Sequence, residues 1–504
     1  MRYIISLDLG TSAFKVALFD EDGKIIASSN QEYALVTPDT LSVELDVDTY
    51  WRAFKAGLAE VLAASKVDVG DIKAFGLSAQ GETLILLDKH GKVLRNAIIW
   101  MDNRAQDEAG ELDKRFPREV SAKISGQVSI VPTWPAAKIL WVARHEPDIF
   151  RKTAKFLLIE DYFIYRLTGK FVAEGSLLCS TLYWDINTKK YWKDMLDCLG
   201  IDESRLPEIR ESGEVVGPLL PEVAGELGLS PDTLVSTGVL DQAAGAIGVG
   251  NIVNGVFSEC TGSALAICAT VEHSFVDRAG RMPCHYHGIP DVYMAHTFTT
   301  GGMVMKWFRD AFCDPEMCAG ESSGLDPYRL MDMAAKRVAP GSDGLVMLPH
   351  LQGAMAPEAN GKAKGVFYGI TLRHARGHFI RAVMESVGFI VLRNIDALED
   401  MGVKVGEIRA LGGGAKSPIW NQIKADITGR TVVVTESDEA ACLGAAVVAG
   451  VGAGVFDSLK NACDRMVKVK SRYEPDPANR DVYGETYRKY IDLYEAVRPI
   501  YERG

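Results

Sequence analysis

The sequence predicts a two-domain α/β protein with mixed sheets flanked by helices. Three observations carry that expectation. Strand and helix patterns alternate along almost the whole chain. A strand–turn–strand pattern rich in Gly, Thr and Ser occurs twice, about 250 residues apart. The chain of 504 residues is also longer than one hydrophobic core normally holds. The boundary is expected after Gly248-Val249-Gly250, giving domains 1–250 and 251–504.

The first half opens as a β-meander, with strands at residues 3–9, 15–20 and 24–29 and a turn at Glu21-Asp22-Gly23. Residues 49–64 place Tyr50, Phe54, Leu58, Val61 and Leu62 near one face, which predicts an amphipathic helix. Residues 72–77 and 83–87 read as strands around Ser78-Ala79-Gln80-Gly81-Glu82, and residues 136–144 and 161–167 as helices. In the second half, the strand 256–259 leads into Cys260-Thr261-Gly262-Ser263 and the apolar stretch 264–269. A helix at 379–397, strand 407–411, a glycine turn, helix 419–428, strand 431–434 and a small-residue helix 440–449 complete the pattern. That last helix allows tight crossing near a hinge or simple core packing, and the sequence leaves both open.

Hydrophobic content of 47% with 24% charged residues is that of a globular enzyme. The formal charge of −12 argues against nucleic acid or an acidic membrane as the main partner. The 9 cysteines are scattered without a Cys-x-x-Cys pair, as in a reduced protein. The first residues enter a strand without a basic leader, and no apolar run reaches the roughly 18 residues of a spanning helix. A cytoplasmic location is expected, with no membrane or nucleic-acid partner.

Four stretches carry chemistry. The turns Gly10-Thr11-Ser12 and Thr261-Gly262-Ser263 present backbone N–H groups of the kind that cradle phosphates. Asp8, just before the first turn, makes sense beside phosphate if Mg²⁺ lies between them, usually through water. Either turn alone is also an ordinary hairpin; the pair is not. In "VSTGVLDQAAGAIG", residues 235–248, an apolar strand ends at Asp241-Gln242 and a small-residue helix succeeds it. A carboxylate there can take a proton from a substrate hydroxyl or N-cap the helix, and the two readings are compatible. Gly412-Gly413-Gly414 between strand and helix nearly makes a dinucleotide fingerprint, with Ser417 in place of the third glycine, so an NAD-dependent oxidoreductase stays open. Gln80-Gly81-Glu82 with Trp100, Asp102 and Arg104 offers amide, carboxylate, guanidinium and indole for a polyhydroxyl ligand, or a solvated loop with a local ion pair. His285-x-His287, in an expected loop, is read as structural and not as a zinc site.

Taken in order, Asp8-Leu9-Gly10-Thr11-Ser12, Gln80-Gly81-Glu82, Asp241-Gln242, Thr261-Gly262-Ser263 and the stretch 411–418 resemble the FGGY carbohydrate kinases of the actin/hexokinase/Hsp70 superfamily. "GVFYGITLRHARGHFIRAVMES", residues 365–386, is similar to a signature segment of that family. "WPAAKILWVARHEP", residues 134–147, resembles another, and "IEDYFIYRLTG" and "STLYWDINTKKYW" are similar to the family's continuation of that segment. The resemblance implies two RNase H-like (actin-like ATPase) domains with an interdomain cleft, the first binding sugar and the second nucleotide. It implies Asp241 as general base and Asp8 as the Mg²⁺ residue. Thr11, Ser12, Thr261, Gly262, Ser263, Gly302, Lys306, Gly413, Gly414, Ala415 and Asn421 are expected along ATP. Gln80, Glu82, Trp100, Asp102, Asp241 and Gln242 are expected at the substrate.

The departures concern the acceptor. Glycerol kinases carry Gln-Arg-Glu where this chain has Gln80-Gly81-Glu82, and an aromatic pair where it has Thr133-Trp134. Xylulokinases typically carry Gln-Met-His at the first place. A glycine there is expected to leave more room, for a ketopentose such as xylulose or a related polyol or sugar acid. The alternatives are a glycerol kinase-type polyol kinase and a superfamily ATPase without a sugar substrate. A homodimer is compatible with the resemblance.

Overall fold

The computed structural model describes residues 1–503, the side chain of Ser323 excepted. The chain forms two compact units: Met1–Ile252 with Thr270–Met294 and Glu439–Lys468, and Val253–Ala269 with Ala295–Asp438 and Val469–Gly504. Among the described residues, no helix is long and apolar enough to cross a membrane.

In unit 1 a mixed sheet runs in the order Val215–Pro218, Leu234–Ser236, Ile72–Ala79, Tyr3–Leu9, Ala13–Asp20, Ile25–Glu32. Tyr3–Leu9 pairs antiparallel with Ala13–Asp20 and parallel with Ile72–Ala79. The helix Val47–Ser65 starts where the Asp46 side chain accepts the Asp48 amide and ends at left-handed Lys66. Its face of Tyr50, Trp51, Phe54, Leu58 and Val61 is buried. Phe54 packs within 5.8 Å of Phe14 and 6.1 Å of Phe75, ring centre to ring centre, so the helix is held by aromatic burial on the sheet.

The strand expected to run unbroken into Asp241 is interrupted. Leu234–Ser236 and Val239–Leu240 both pair with Ile72–Ala79, and Thr237-Gly238 separates them. A Cβ on Gly238 would stand 2.2 Å from the Leu77 carbonyl oxygen, so the chain passes there only as glycine. The next helix, Asp241–Gly248, crosses the helix Ala440–Gly452 at backbone contact. A Cβ on Gly444 would lie 1.8 Å from Ala244 O, and one on Gly248 would lie 1.9 Å from Ala440 O. This crossing is why a segment from late in the chain belongs to unit 1.

Unit 2 repeats the motif. Its strands run in the order Tyr293–Thr300, Ala264–Val271, Val256–Thr261, Glu407–Leu411, Thr431–Thr435, Val469–Tyr473. Val256–Thr261 again pairs antiparallel with the next strand and parallel with a distant one, Glu407–Leu411. Helices Arg376–Asp400 and Pro418–Thr428 pack together, with Trp420 Nε1 donating to Met384 O at 3.0 Å. His285, expected in a loop, lies instead in the strand Cys284–Tyr286, because Cys284 and Tyr286 are core residues that draw the segment inward. Among the described residues, no His/Cys/Asp/Glu cluster could by itself hold a metal ion.

Candidate active site

Three parallel strands of unit 1 end side by side. Leu9 and Leu240 both lie opposite Ala79, on either side of the strand Ile72–Ala79. Asp8, Gln80 and Asp241 therefore gather at the carboxyl end of one sheet, where α/β proteins bind ligands. Ser78 Oγ donates to Asp8 Oδ1 at 2.9 Å, and burial holds the Asp8 carboxyl above its ordinary value. Asp241 is the first residue of its helix rather than the cap, and its Oδ1 accepts the adjacent Gln242 amide at 2.7 Å. Burial, then the charges of Asp8 and Glu82, push Asp241 up to about 8.

Glu82 has φ +54°, a left-handed backbone that is uncommon for a residue with a side chain. Burial raises its carboxyl, with Lys138 and the Ser180 hydroxyl acting against the shift. Trp100 is 36% exposed, and its Nε1 donates to Thr11 Oγ1 at 2.8 Å. The Thr11 hydroxyl in turn donates to Gln80 Oε1 at 3.2 Å. Gln80 is buried, and its amide nitrogen donates to Tyr50 Oη at 3.0 Å and Gly10 O at 3.3 Å. Gln80 thus braces the first turn with its amide instead of presenting it openly. Asp102 is wholly buried, with both oxygens taken by Arg104 and one also by the Val43 amide at 2.6 Å. Ser12 is exposed at the turn, and Gln242 is half-buried beside Asp241. The glycine at 81 opens no empty space at its own Cβ position, since Leu240 Cδ1 and Ser180 Oγ would both stand 3.2 Å from that carbon.

Sequence reasoning misses Lys138, although a lone lysine on the apolar face of a helix is a signal. It is fully buried within Pro135–His145, and its Nζ donates at 2.9 Å to both Glu82 O and Ile99 O. One ammonium thereby ties together the segment bearing Glu82 and the segment bearing Trp100 and Asp102.

Unit 2 holds a cavity of about 770 Å³ lined by Thr261, Gly262, Ser263, Gly302, Lys306, Gly413 and Gly414 among others. The helix Met303–Phe312 starts against the turn: the Gly302 and Met303 amides donate to Gly262 O and Ser263 O at 2.8 and 2.9 Å. A Cβ on Gly302 would be 2.4 Å from Gly262 O, and one on Gly414 would be 2.6 Å from Thr261 Cβ. The glycines are what let three backbone segments converge here. Thr261 is buried, and its hydroxyl donates to Glu259 at 2.5 Å and accepts from Lys424 Nζ at 2.9 Å. Lys306, exposed at the cavity, pairs with Asp310 at 2.6 Å. Ala415 and Asn421 are buried behind the glycine turn, where Asn421 Nδ2 donates to Ala415 O at 2.8 Å and its Oδ1 finds no partner. Ser417, in the place of a third glycine, caps Pro418–Thr428 by accepting the Trp420 amide. Tyr328 and Asp332 also line the cavity; burial pushes Asp332 up to about 6, against the Ser417 hydroxyl bonded to it at 2.8 Å.

Asp8 supplies a hard oxygen donor at the turn. A single carboxylate without a full protein cage fits Mg²⁺, which keeps several waters and binds phosphate oxygens as well.

Comparison with known proteins identifies the family. Residues 3–248 match the model of the FGGY family of carbohydrate kinases, N-terminal domain, and residues 263–453 match its C-terminal domain. The chain is 32% identical to xylulose kinase of Bacillus subtilis, over 98% of this chain and 97% of that one. It is 30% identical to gluconokinase of Bacillus licheniformis, over 99% of this chain and 97% of that one. The structure of ligand-bound xylulose kinase from Lactobacillus acidophilus superposes with a TM-score of 0.90 at 27% identity, covering 100% of both chains. With both family domains matched in order on a shared two-domain fold, the chain belongs to the FGGY family of carbohydrate kinases.

Proposed function

We propose that this kinase transfers the γ-phosphoryl group of ATP to a hydroxyl of a small sugar or sugar derivative, with Asp241 as general base. The observation that carries the reading is the position of Asp241 at a strand end beside Asp8, raised to about 8 by burial and like charge. A base poised near neutrality is effective at orienting and deprotonating an alcohol. The acceptor hydroxyl gives its proton to an Asp241 oxygen as its own oxygen bonds to the γ-phosphorus. The bond from that phosphorus to the β–γ bridging oxygen breaks, and ADP leaves.

Unit 2 supplies the nucleotide cavity, with the Thr261-Gly262-Ser263 turn and Gly413-Gly414 facing the ligand. Thr11 and Ser12 belong to the matching turn of unit 1. Glu82, Trp100 and Gln242 address the acceptor, while Gln80, Asp102 and Lys138 hold those groups in place. Asp8 would hold Mg²⁺, which when bound neutralises phosphate charge. Positioning and electrostatics supply most of the acceleration in such transfers. An NAD-dependent oxidoreductase falls away, because both halves of the chain match the FGGY family of carbohydrate kinases.

The test is Asp241→Asn in an ADP-release assay with a panel of ketoses and polyols. Sugar-dependent turnover is expected to fall by about 1,000-fold, with ATP binding and thermal unfolding little changed. Turnover near that of the unsubstituted protein would remove Asp241 from the role of base.

A further inference from the structure

Two carboxyls lie buried beside the segment that leads into Asp241, and the transfer chemistry uses neither. Glu160, in the helix Ile159–Thr168, and Glu174, just before the short helix Gly175–Leu178, are both wholly buried. Burying a carboxyl is unfavourable unless its oxygens are bonded. Both are bonded to the same stretch of backbone, one directly and one through a hydroxyl. Glu160 Oε1 accepts the Gly238 amide at 2.9 Å, while its Oε2 finds no partner, so the bond to Gly238 is what offsets its burial. Glu174 acts one step removed. Its Oε1 accepts the Ser176 hydroxyl at 2.6 Å, and the Ser176 oxygen accepts the Leu240 amide at 2.8 Å. Glu174 also accepts the Ser176 and Leu177 amides at 2.7 and 2.8 Å, so Ser176 is held by its backbone and its side chain together.

These bonds fall where regular structure determines the chain least. The sheet is broken at Thr237-Gly238, and Leu240 is the N-cap of the helix that Asp241 opens, without a side-chain cap. A leucine side chain cannot accept a helix amide, so the start of that helix is set from outside. The amides taken by Glu160 and Ser176 stand three residues and one residue ahead of Asp241. A shift at Leu240 therefore displaces the carboxyl that comes next, and misplacing a reacting group by about 1 Å costs on the order of 100-fold in rate. Resting on the kinase reading above, we propose that Glu160 and Ser176 are positioning residues for phosphoryl transfer. By holding the Gly238 and Leu240 amides, with Glu174 fixing Ser176, they set the Asp241 carboxyl against the acceptor hydroxyl.

The experiment is a double-mutant cycle in the full chain. Glu160→Met and Ser176→Ala would each be made in the parent protein and in Asp241→Asn. ADP release would be measured at saturating ATP with D-xylulose, D-gluconate and a panel of ketoses and polyols, and thermal unfolding alongside. With the fastest acceptor, each variant is expected to lower kcat by about tenfold while the acceptor KM stays within about twofold of the parent value. Glu160→Gln keeps an oxygen for the Gly238 amide and is expected to hold kcat within about threefold of the parent. In Asp241→Asn the carboxyl to be placed is gone, so the further loss is expected to stay below about twofold. A tenfold loss in both backgrounds would make the two residues general supports of the fold and overturns the inference. An unchanged kcat in the parent background also overturns it, and both results leave the base reading intact. Should one variant fail to fold, the other carries the cycle; failure of both assigns the bonds to folding alone and overturns the inference. Asp241→Asn turning over like the parent, or silence with every acceptor, overturns the reading above and this inference with it.

Discussion

The two Gly/Thr/Ser turns sit at equivalent places in their units, yet their surroundings diverge. Each comes after a strand that is antiparallel to the next and parallel to a distant one. Each also has an acid shortly before the turn: Asp8 in Asp8-Leu9-Gly10-Thr11-Ser12 and Glu259 in Glu259-Cys260-Thr261-Gly262-Ser263. In unit 1 the acid is half-buried, bonded to a serine hydroxyl, and raised. In unit 2 it is wholly buried and neutralised by Lys424 at 2.5 Å. One half therefore leaves its acid without a cation at salt-bridge distance among the described residues, and the other cancels it behind the turn. The hydroxyls differ as well. Thr11 connects to Trp100 and Gln80, whereas Thr261 is locked inside the Glu259–Lys424 pair.

Breaking the pair in unit 2 should have the largest effect. Lys424→Met strands Glu259 without a cation, and a loss of about 3–5 kcal/mol in unfolding free energy is expected. Adding Glu259→Leu should recover much of it. A single variant that unfolds like the parent protein would show that the pair does not brace the second turn.

The next effect separates the two acids by function. Asp8→Asn is expected to lower kcat/KM for ADP release by about 100-fold without lowering the thermal midpoint, since it removes a carboxyl that burial disfavours. Loss of stability in place of activity would make Asp8 a structural acid like Glu259.

A pH series carries the contrast to the third acid of the cluster. Asp241 keeps its proton up to about pH 8 in the folded chain, against an ordinary value of 3.8. The folded state then binds more protons than the unfolded state between those values. Stabilisation present below pH 4 is lost as pH rises through 8. In metal-free protein, the unfolding free energy of Asp241→Asn relative to the parent should gain roughly 1–3 kcal/mol between pH 5 and pH 8. Buried His287, His296 and His350, each lowered to about 4, give the opposite slope and cancel in the difference. A flat difference would place Asp241 in an environment no different from water.

The smallest effect tests the hydroxyls. Thr11→Val should raise the acceptor KM by roughly threefold to tenfold with ATP affinity unchanged, because it cuts one hydrogen bond on each side. Thr261→Val should leave the acceptor KM alone and cost about 1–3 kcal/mol of stability. The reverse pattern would exchange the roles assigned to the two turns.

Much of this is legible in residue pattern. The helix 379–397 and the strand 407–411 stand out by periodicity, and the structure has them at Arg376–Asp400 and Glu407–Leu411. The glycines at 413 and 414 and the acids at 8, 82 and 241 stand out in their motifs, while Gly302 enters only through the family resemblance. Gln80 looks like an open ligand group in sequence, but Tyr50 accepts from its amide, a partner chosen by packing. The local Asp102–Arg104 pair that the sequence offers as one of two readings is present, but buried rather than in a solvated loop. Lys138 escapes a reading of the sequence because its carbonyl partners lie 56 and 39 residues away.

By itself the sequence determined the family, the alternation of strands and helices, and the residue types at each turn, because these depend on local spacing and backbone freedom. Only the tertiary structure decided that Ala440–Gly452 joins the first unit, that Glu259 is cancelled while Asp8 is not, and that Lys138 is tied to two carbonyls. Each of those outcomes depends on which distant groups share one small volume, where burial sets the energy of a charge and no stretch of chain read alone reveals its partner.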